Sequence, residues 1–472
     1  MKKAFSRKNL WENLPPWIKG SIGRVAGMVP PEFLLGKNYR QWARIVGESD
    51  RWTADQVREY QLKQLRDILQ LAYDKSPYYR DSFAAAGVDP KLPGGFAELQ
   101  KLPLIDKQVI NHHADELLTV AKDTPGIDYV STGGSSGEPL RFLIGADRSA
   151  IEFAHLASSW FRVGYRLSIP QAVFRGQVVA DDNSGLRHFY DPLLRRHQYS
   201  NFHMDDDSIA RYLKHISGLG PCYLQIYPSS LNMLIRYLNR KGVEPPKNIK
   251  GLLMGSENVY EDDRREAEAL FGVRYYSWYG HSEKLVLAAE CEHSNLYHVF
   301  PTYGYCELVD EQGTVITTPG KSGEIVGTGF INRVMPFIRY RTGDYATYQG
   351  NHCERCGRQQ LLLSDIRGHR TQEMLVTKVG SLIPWTAVNV HDDTFDDVQQ
   401  FQFSQTEIGR ATLKVVPVGA LDTDKLEKDV AARLQGQLDF DIEIVDEIKL
   451  TARGKAVFVD QQIDTDKIMI EG

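Results

Sequence analysis

The chain has 472 residues, and its 56 Lys and Arg against 61 Asp and Glu give a formal net charge of −5 at pH 7. This near-neutral balance argues against a general nucleic-acid binder, because affinity for a phosphate backbone requires clustered excess Lys and Arg. Hydrophobic residues make up 42% of the chain and charged residues 25%, which excludes an intrinsically disordered protein. At about 100–200 residues per domain, we expect two to four soluble globular domains.

The chain begins with an arm and a helical segment. Residues 1–50 interleave apolar and basic side chains, but they lack both the ~20 apolar residues of a membrane span and the apolar run of roughly 7–15 residues of a signal peptide. We expect this arm to pack on the protein's own body, with peripheral contact to a membrane surface as the alternative. Residues 50–120 predict helices, one of which begins after a Thr53 cap and ends before Ser76-Pro77.

The rest of the chain changes its pattern twice. Strand-like runs (QAVFRGQVV, PCYLQIYP, KGLLMGSE, VRYYSWYG) alternate with helix-like segments (SSLNMLIRYLNRKG, YEDDRREAEALFG), which predicts a parallel α/β sheet. After about residue 300 short strands dominate: YGYCELVD, TVITTPG and GEIVGTG. The last hundred residues predict a compact α+β unit, with strands at VQQFQFSQ, ATLKVVPVG and DIEIVDEI and a helix at TDKLEKDVAARLQGQL.

A loop rich in glycine and hydroxyl groups, STGGSSGEPL, runs from Ser131 to Leu140 directly after a predicted strand. Its glycines let backbone N–H groups curl around an anion, and its hydroxyls add donors that rotate to fit. The loop is not the P-loop NTPase motif, because Glu138 stands where that motif has lysine. A solvated flexible loop is the alternative.

The run WYGHSEKL places a flat aromatic ring, Tyr279, before Gly280 and Glu283. Such a run suits stacking on a base and holding a hard cation such as Mg²⁺ through carboxylate oxygen. By itself the signal is weak, because aromatic–Gly turns are common.

Two further segments carry single charged groups. In FIRYRTGDYA, Asp344 lies in a glycine turn, where it can accept hydrogen bonds from ribose hydroxyls or pair with Arg339 or Arg341. In LTARGKAVFVD, Lys455 follows a glycine near the chain end. A lysine on a mobile loop can bring positive charge to a developing phosphate or carboxylate charge, and a solvated lysine is the alternative.

In this order the four segments resemble the adenylate-forming enzymes, which are the acyl-CoA synthetases and their relatives. Within them the chain looks like the phenylacetate–CoA ligase family, and in particular its branch associated with capsular polysaccharide biosynthesis. The form of the Ser131–Leu140 loop and the upstream segments SPYYRDSF and LPLIDKQVI suggest that branch. The resemblance covers roughly residues 50–472.

The resemblance implies an α/β fold in two domains. A large N-terminal domain, with parallel sheets and a β-rich subdomain, would occupy residues 51–370. A small, mobile α+β lid would occupy residues 371–472 and rotate between half-reactions.

The resemblance also implies ATP and Mg²⁺ as ligands. The β and γ phosphates would lie against the loop residues Ser131, Thr132, Gly133, Gly134, Ser135, Ser136 and Gly137. The adenine and the acyl substrate would be bordered by Gly255, Ser256 and Glu257.

Single residues would complete the nucleotide site. Tyr279, beside Gly280, would stack on adenine, and Ser282 would contact the α-phosphate. Glu283 would bind Mg²⁺, and Asp344 would hold the ribose hydroxyls.

Arg370 would begin the interdomain hinge, and Lys455 would bridge the carboxylate and the α-phosphate. Attack of a carboxylate oxygen on the α-phosphorus gives an acyl adenylate and pyrophosphate, after which a second nucleophile displaces AMP. The predicted enzyme is therefore an AMP-forming ligase.

Five cysteines form an odd, sparse set, which indicates a reducing, cytoplasmic setting rather than a disulfide framework. The Cys-x2-Cys knuckle in CERCG, completed by a distant Cys/His pair, predicts a closed structural zinc site. Its ligands would be Cys291, His298, Cys353 and Cys356, with His293 as the competing histidine. Cys222 and Cys306 lie in apolar strand-like runs and are expected in the core.

The hinge departs from the family pattern. Family members typically have an acidic residue where this chain has Gln372, and the Arg-Gly that follows is replaced by Lys378-Val379. In CoA ligases this region faces the pantetheine tunnel, so CoA as acceptor is in doubt. We expect an amine acceptor, giving an amide in surface polysaccharide biosynthesis. The alternatives are a phenylacetate-like ligase that forms a thioester with CoA and a non-catalytic zinc-containing scaffold of the same fold.

The acyl substrate is expected to be a small-molecule or glycan-linked carboxylate. A basic set suited to a polyanion lies between residues 160 and 200 and comprises Arg162, Arg166, Arg175, Arg187, His188, Arg195, Arg196 and His197. The alternative is a solvated face paired with Asp181, Asp182 and Asp191. Arg175 is the predicted substrate residue, because it follows a strand-like run of the large domain.

Overall fold

The computed structural model describes residues 31–132, 140–175, 179, 185–368, 374–384, 394–395, 397–417, 419–448 and 458–463. Residues 133–137 of the expected phosphate loop, the hinge residues Arg370 and Gln372, and Lys455 lie outside these ranges. Their expected roles therefore stay predictions.

The described helices are α1 (Pro31–Leu34), α2 (Gly36–Ser49), α3 (Ala54–Lys75), α4 (Pro77–Ala86), α5 (Phe96–Leu99), α6 (Lys107–His112), α7 (Arg148–Phe161), α8 (Asp206–Ser217), α9 (Pro228–Lys241), α10 (Glu261–Phe271) and α11 (Thr423–Leu434). The described strands up to the large sheet's antiparallel half are β1 (Ile127–Thr132), β2 (Leu140–Gly145), β3 (Gln171–Arg175), β4 (His188–Asp191), β5 (Arg196–Ser200), β6 (Cys222–Ile226), β7 (Ile249–Met254) and β8 (Tyr275–Gly280). The remaining described strands are β9 (Leu287–Ala289), β10 (Tyr297–Val299), β11 (Gly304–Val309), β12 (Ser322–Gly329), β13 (Tyr340–Gly350), β14 (Leu362–Arg367), β15 (Met374–Val376), β16 (Leu382–Pro384), β17 (Val398–Glu407), β18 (Arg410–Pro417), β19 (Asp439–Ile444) and β20 (Val459–Gln461).

The long helix α3 begins where the sequence predicts it. The Thr53 hydroxyl accepts a hydrogen bond from the Gln56 backbone N–H, and the Gln56 side chain accepts one from the Thr53 N–H. This capping box satisfies two donors that a helix start leaves unpaired. The helix stops at Ser76, whose hydroxyl caps α4, and Pro77 occupies the first turn of that helix.

Part of the expected N-terminal arm packs on the body of the protein. Helix α2 buries Tyr39 and Val46 in a cluster that contains Trp160 of α7. Residues 36–49 therefore pack on the body, whereas residues 1–30 lie outside the described part of the chain, so the expected packing of that segment stays a prediction.

One large sheet joins parallel and antiparallel strands. The strands β3, β6, β7 and β8 lie side by side and run parallel, β5 is parallel to β3, and β4 pairs antiparallel at that edge. Beyond β8 the sheet continues antiparallel through β9, β10, β14, β13, β12 and β11. This arrangement confirms the predicted α/β class with its β-rich part.

The parallel strands are covered on both faces. Neighbouring residues of β7 enter different cores: Leu252 joins the cluster that includes α8 and α9, and Leu253 joins the cluster with α2 and α7. Burial on both faces explains why these strands are nearly continuous apolar runs in the sequence.

The strand expected at TVITTPG does not form. Val315 makes an isolated bridge with Val309, and no longer pairing develops in this described segment. The Asp310 carboxylate accepts hydrogen bonds from Gln312 and Thr314 N–H groups, which closes a tight turn, and Gly320 turns the chain away again with a φ of +83°. Between the two turns, the segment pairs with the neighbouring strand through this single bridge.

The C-terminal described residues form a separate sheet in the order β19-β18-β17-β20. Helix α11 packs on it through Leu426, Val430 and Leu434. In sequence order, β14 is the last strand of the large sheet and β17 is the first strand of this C-terminal sheet. The two strands lie on either side of the expected boundary near residue 370, which itself lies outside the described residues. Within the described part of the chain, no helix has both the length and the apolar character needed to cross a membrane.

Candidate active site

The carboxyl ends of four neighbouring parallel strands carry three residues that the sequence singles out, Arg175, Gly255 and Tyr279, together with Tyr227. Arg175 ends β3, Tyr227 follows β6, Gly255 follows β7, and Tyr279 lies near the end of β8. Because carboxyl ends of parallel strands meet at one edge of a sheet, these residues border a common crevice. Open α/β sheets bind their ligands in such crevices.

The turn after β7 depends on a glycine and a strained serine. A Cβ atom at Gly255 would lie 2.4 Å from the Trp278 ring, so a larger residue does not fit there. The next residue, Ser256, has a φ of +72°, a left-handed conformation that L-residues other than glycine rarely adopt. Strain of this kind persists only where the surroundings hold the backbone, and it is concentrated at functional sites.

Arg175 reaches across the crevice to this turn. Its Nη2 donates a hydrogen bond of 2.8 Å to Ser256 Oγ. Its guanidinium carbon lies 5.4 Å from the Tyr227 ring centroid and 5.9 Å from that of Trp278. Aromatic faces attract a cation, so the two rings hold the guanidinium at the strand ends. Tyr227 and Trp278 are parts of this site that the sequence does not reveal.

Tyr279 and Asp344, 65 residues apart in sequence, meet in the structure. The Tyr279 hydroxyl donates a hydrogen bond of 2.7 Å to an Asp344 carboxylate oxygen. Burial, together with the Asp344 charge, raises the pKa of Tyr279 well above its ordinary value, so the phenol stays a donor. The two segments that were expected to face adenine and ribose are therefore adjacent.

The turn that carries Asp344 is built by its neighbours. Gly343 has a φ of +75° and donates its N–H to Glu324, and the Asp344 N–H donates to the Thr342 hydroxyl. The arginines of the same segment have other carboxylate partners: Arg339 binds Glu307 and Arg341 binds Glu324.

His281, which the sequence analysis does not single out, positions Glu283. The Val286 N–H donates to His281 Nε2 at 3.2 Å, so Nδ1 carries the proton and donates to the Glu283 carboxylate at 3.0 Å. His281 and Glu283 are 12% and 16% exposed, so the carboxylate stands at the rim of the crevice. A carboxylate held in this way suits Mg²⁺, which prefers oxygen ligands. The spacing His-x-Glu was the available signal.

The other expected nucleotide residues are placed in part. Thr132 ends β1 and pairs with Leu140 of β2, so residues 133–139 connect two antiparallel strands. Ser131 lies in the same strand, and nothing is described of its side chain. Gly280 ends β8, and Glu257 and Ser282 lie in the loops that follow β7 and β8.

The basic set between residues 160 and 200 does not form one surface. Arg162 pairs with Asp50 at 3.0 Å, and Arg196 donates to the Gln171 side chain at 2.9 Å. Arg175 is the described member of the set that contacts a crevice residue. Two of the expected partners, Asp181 and Asp182, lie outside the described residues.

The three cysteines expected to bind zinc lie together with one histidine. The ligand atoms of Cys291, His298, Cys353 and Cys356 all lie within 4.8 Å of one another. Within the group, Cys356 Sγ is 3.3 Å from His298 Nε2. The other ring nitrogen, Nδ1, lies 2.9 Å from the Leu296 carbonyl, the second contact that usually orients a metal-binding imidazole. This donor set fits a closed tetrahedral zinc site.

One of the two candidate histidines lies with the three cysteines in the structure. His298 on β10 joins the cluster, whereas His293 donates its backbone N–H to Cys291 Sγ at 3.4 Å. Burial raises the pKa of Cys356, but hydrogen bonds with His298 and Arg358 outweigh it and lower that pKa to about 5. The remaining cysteines, Cys222 and Cys306, are buried in apolar clusters, as predicted.

The sequence of the chain is similar to those of known proteins. The chain is 25% identical to the phenylacetate–coenzyme A ligase of Thermus thermophilus over 70% of its own length and 74% of that protein. It is 22% identical to protein CapK of Staphylococcus aureus over 77% of its length and 80% of CapK. No protein-family model matches the sequence.

A solved structure shares the fold. The 2-hydroxyisobutyryl-CoA ligase, in a complex with 2-HIB-AMP and CoA, superimposes with a TM-score of 0.57 at 19% identity, over 88% of this chain and 91% of that one. Fold and site together resemble those of the AMP-forming, adenylate-forming ligases. More narrowly, the chain is a relative of the phenylacetate–CoA ligases and of CapK, which confirms the resemblance read from the motifs.

Proposed function

We propose that the chain activates a carboxylic acid with ATP, in the crevice at the carboxyl ends of β3, β6, β7 and β8. The hydrogen bond between Tyr279 and Asp344 is the observation that carries this proposal. It joins an aromatic ring suited to adenine and a carboxylate suited to ribose hydroxyls at the crevice where α/β sheets bind nucleotides. Asp344 accepts from Tyr279 in the described structure, and a carboxylate has further lone pairs for a ribose.

The remaining roles follow from the order of the motifs. The phosphates would lie against the loop after β1, Ser282 would contact the α-phosphate, and Glu283 would hold Mg²⁺. The cation would supply neutralisation of phosphate charge. Lys455 would approach from the C-terminal lid and stabilise the charge that develops between the carboxylate and the α-phosphate. Arg370 would act as the hinge of that movement.

The chemistry balances in two steps. A carboxylate oxygen attacks the α-phosphorus of ATP, the bond to the bridging oxygen of pyrophosphate breaks, and an acyl adenylate forms. An acceptor nucleophile then attacks the acyl carbon, and AMP leaves. The acceptor's proton passes to a base or to solvent.

Arg175 supports an acid with a polar or anionic group away from the reacting carboxylate. Its guanidinium lies between the Tyr227 and Trp278 rings and bonds Ser256, beside the turn expected to border the acyl group. Arginine recognises carboxylate and phosphate through paired N–H donors. A hydroxy acid, a uronic acid or a glycan-linked carboxylate fits this site better than a plain aryl acid.

For the acceptor we propose an amine, so that the product is an amide of surface polysaccharide biosynthesis. The support is the altered hinge, in which Gln372 and Lys378-Val379 replace the residues typical of CoA ligases. Lys378 forms an ion pair of 2.6 Å with Asp439, so its charge is engaged within the C-terminal unit.

CoA is the second candidate acceptor. Relatives named phenylacetate–coenzyme A ligase and a structural neighbour determined with CoA favour a thioester product. The two candidates share the first half-reaction and differ only in the nucleophile of the second.

Pyrophosphate exchange tests the first half-reaction. Labelled pyrophosphate should enter ATP in the presence of a matching acid from a panel of aryl, hydroxy and uronic acids. Lys455→Ala should abolish the exchange, and Lys428→Ala, a change of an exposed lysine on α11, should not. Absence of exchange with every acid in zinc- and magnesium-replete protein would contradict the proposal.

The acceptor is then identified by AMP release. With the active acid, AMP formation should require an amine and proceed without CoA, and mass spectrometry should find an amide. Thioester formation with CoA would support the second candidate. Arg175→Met should raise KM for the acid without changing KM for ATP.

We also propose that Cys291, His298, Cys353 and Cys356 hold a structural zinc ion. Four protein ligands leave no open position for a catalytic water. The site packs β10 against the loop between β13 and β14, away from the strand-end crevice. Metal analysis of the purified protein should find zinc that Cys353→Ser removes.

A further inference from the structure

A second group of side chains that can bind a metal ion lies at the β4 edge of the large sheet. His188 on β4, His197 on β5 and His215 on α8 bring one ring nitrogen each to within 4.8 Å of one another. The His188 and His215 ring centroids are 4.5 Å apart, and those of His188 and His197 are 5.2 Å apart. None of these residues has a part in the proposed ligase chemistry.

The β4–β5 hairpin places two of the histidines on one face. His188 stands opposite Tyr199, and Tyr190 stands opposite His197, in the antiparallel register. Residues two apart on a strand point to the same side, so His188 and His197 are diagonal neighbours on that side. Their imidazoles are close enough for His188 Nε2 to lie 3.0 Å from His197 Nδ1.

Helix α8 brings the third histidine onto this face. Ile209, Tyr212 and Ile216 of α8 are buried against the sheet, which fixes the rotation of the helix. His215, in its last turn, is thereby aimed at the hairpin. The Tyr199 hydroxyl lies 2.7 Å from His215 Nδ1, a second contact of the kind that orients a metal-binding imidazole through its other nitrogen.

Aromatic packing alone does not explain the choice of histidine. Phe174, Tyr199 and Tyr212 already form a stacked and edge-to-face group beneath the cluster. Apolar rings would extend that group without bringing ring nitrogens together. Nitrogens about 3 Å apart match the spacing of two imidazoles on one ion, given metal–nitrogen bonds of about 2.0–2.1 Å.

We propose that His188, His197 and His215 form a second metal site, which binds a divalent transition ion that prefers imidazole, such as Zn²⁺, Co²⁺, Ni²⁺ or Cu²⁺. It differs from the Cys/His cluster in two ways. Its protein ligands are all nitrogen, and it has three of them, which leaves a coordination position open to solvent or to a ligand. The three side chains are partly exposed, so an ion has access.

A bound ion would tie the edge of the sheet to the helix that covers it. β4 is the edge strand, and β5 links it to β3, where Arg175 pairs in register with Ser200. The ion would therefore stabilise the side of the sheet on which the Arg175 end of the crevice is built. The inference does not depend on the proposed ligase activity.

Cobalt titration of the full-length, metal-stripped protein separates the two sites. The Cys/His cluster should take one equivalent with thiolate-to-cobalt charge-transfer absorption. The histidine site should take a second equivalent that adds only weak ligand-field bands. His188→Phe and His197→Phe keep an aromatic ring, and each should remove the second equivalent and leave the charge-transfer band. Tyr199→Phe should weaken the second site roughly 10–100-fold, as expected when a second contact of a ligand is lost.

The control is His112→Gln, which changes an exposed histidine of α6 and should leave both equivalents unchanged. Circular dichroism would show that each variant is folded, and His215→Gln replaces any variant that is not. The proposal would be overturned if the unchanged protein bound a single equivalent of cobalt. It would also be overturned if the His188→Phe and His197→Phe variants both still bound a second equivalent. If the unchanged protein bound cobalt without a charge-transfer band, that result would contradict the zinc assignment of the cysteines but not the histidine site.

Discussion

The strand-end crevice and the Cys/His cluster lie in the same sheet, but the charged side chains of the two regions differ in burial and in pairing. At the crevice, Arg175 bonds to Ser256, Glu283 to His281 and Asp344 to Tyr279, and all three side chains keep some exposure to solvent. Around the cluster, charged groups are buried and paired, as in the contact of Arg264 with Glu290, whose side chains are 3% and 0% exposed. Charges that are buried and paired hold a structure together, whereas charges left at an accessible edge remain available to a ligand. We therefore expect changes near the cluster to alter stability and changes at the crevice to alter catalysis.

The largest expected effect is on stability. Arg264→Met should lower the free energy of unfolding by about 3–5 kcal/mol, because the buried Glu290 carboxylate would lose its shorter ion pair and keep the 3.3 Å contact with the partly exposed Arg274. Denaturant unfolding measures the effect. Arg265→Met is the matched control on the same helix: its pair with Asp262 is 74% and 88% exposed, so the change should be within about 0.5 kcal/mol. If Arg264→Met left stability unchanged but removed activity, the distinction between the regions would fail.

Among changes to the residues of the strand-end crevice, Gly255→Ala should have the largest effect on catalysis. The added Cβ would meet the Trp278 ring at 2.4 Å, which displaces either the turn or the ring. A displacement of about 1 Å at a reacting centre costs roughly 100-fold in rate. Pyrophosphate exchange should fall by about that factor, with zinc content unchanged. Gly220→Ala, where an added Cβ meets nothing within 4 Å, should be neutral.

Tyr279→Phe should have a smaller and more selective effect. The ring remains, but Asp344 loses a hydrogen bond of 2.7 Å. A hydrogen bond to a charged group contributes about 1.5–3 kcal/mol, so KM for ATP should rise about tenfold or more while KM for the acid stays constant. A rise in both constants would indicate a general loss of folding at the crevice instead.

The smallest expected effect is a pH dependence of stability from a buried histidine that belongs to neither region. Burial lowers the pKa of His155 to about 4, against the opposing hydrogen bond to the Ile151 carbonyl. The unfolded chain binds a proton near pH 6.5, so the stabilisation by neutral His155 is complete above that pH and is lost as the pH falls toward 4. Between pH 7 and 5.5 the loss should be about 1 kcal/mol.

His155→Gln should remove this part of the pH slope, measured as the difference in unfolding free energy at the two pH values. An unchanged slope would mean that His155 takes up its proton without unfolding. The comparison of slopes separates this effect from any constant loss of stability in the variant.

The sequence predicted the secondary structure best where local rules are strong. The start of α3 follows from Thr53 and Gln56, and the apolar runs of β6 and β7 follow from burial on both faces of a parallel sheet. The sequence-based prediction failed at TVITTPG, where β-branched residues suggest a strand but a single isolated bridge forms. Propensity describes single residues, whereas strand formation depends on the context in which a segment packs.

For the site, the sequence indicated residue types and their order. It indicated Tyr279, Glu283 and Asp344 by motif, but it did not indicate that His281 orients Glu283 or that Tyr227 and Trp278 flank Arg175. These contacts join residues distant in the chain or depend on side-chain direction. The spacing His-x-Glu is the one local signal for the first contact, and no local pattern indicates that Tyr227 and Trp278 flank Arg175.

The sequence by itself indicated the resemblance to adenylate-forming ligases, the near-neutral charge, the alternation of strands and helices, and a Cys-x2-Cys knuckle with two candidate histidines. The tertiary structure decided that His298 rather than His293 joins the cysteines, and that His188, His197 and His215 meet at the sheet edge. The reason is physical. Composition and periodicity act over a few residues, whereas a ligand set requires side chains from several elements to converge, and only the packing of those elements fixes where each side chain points.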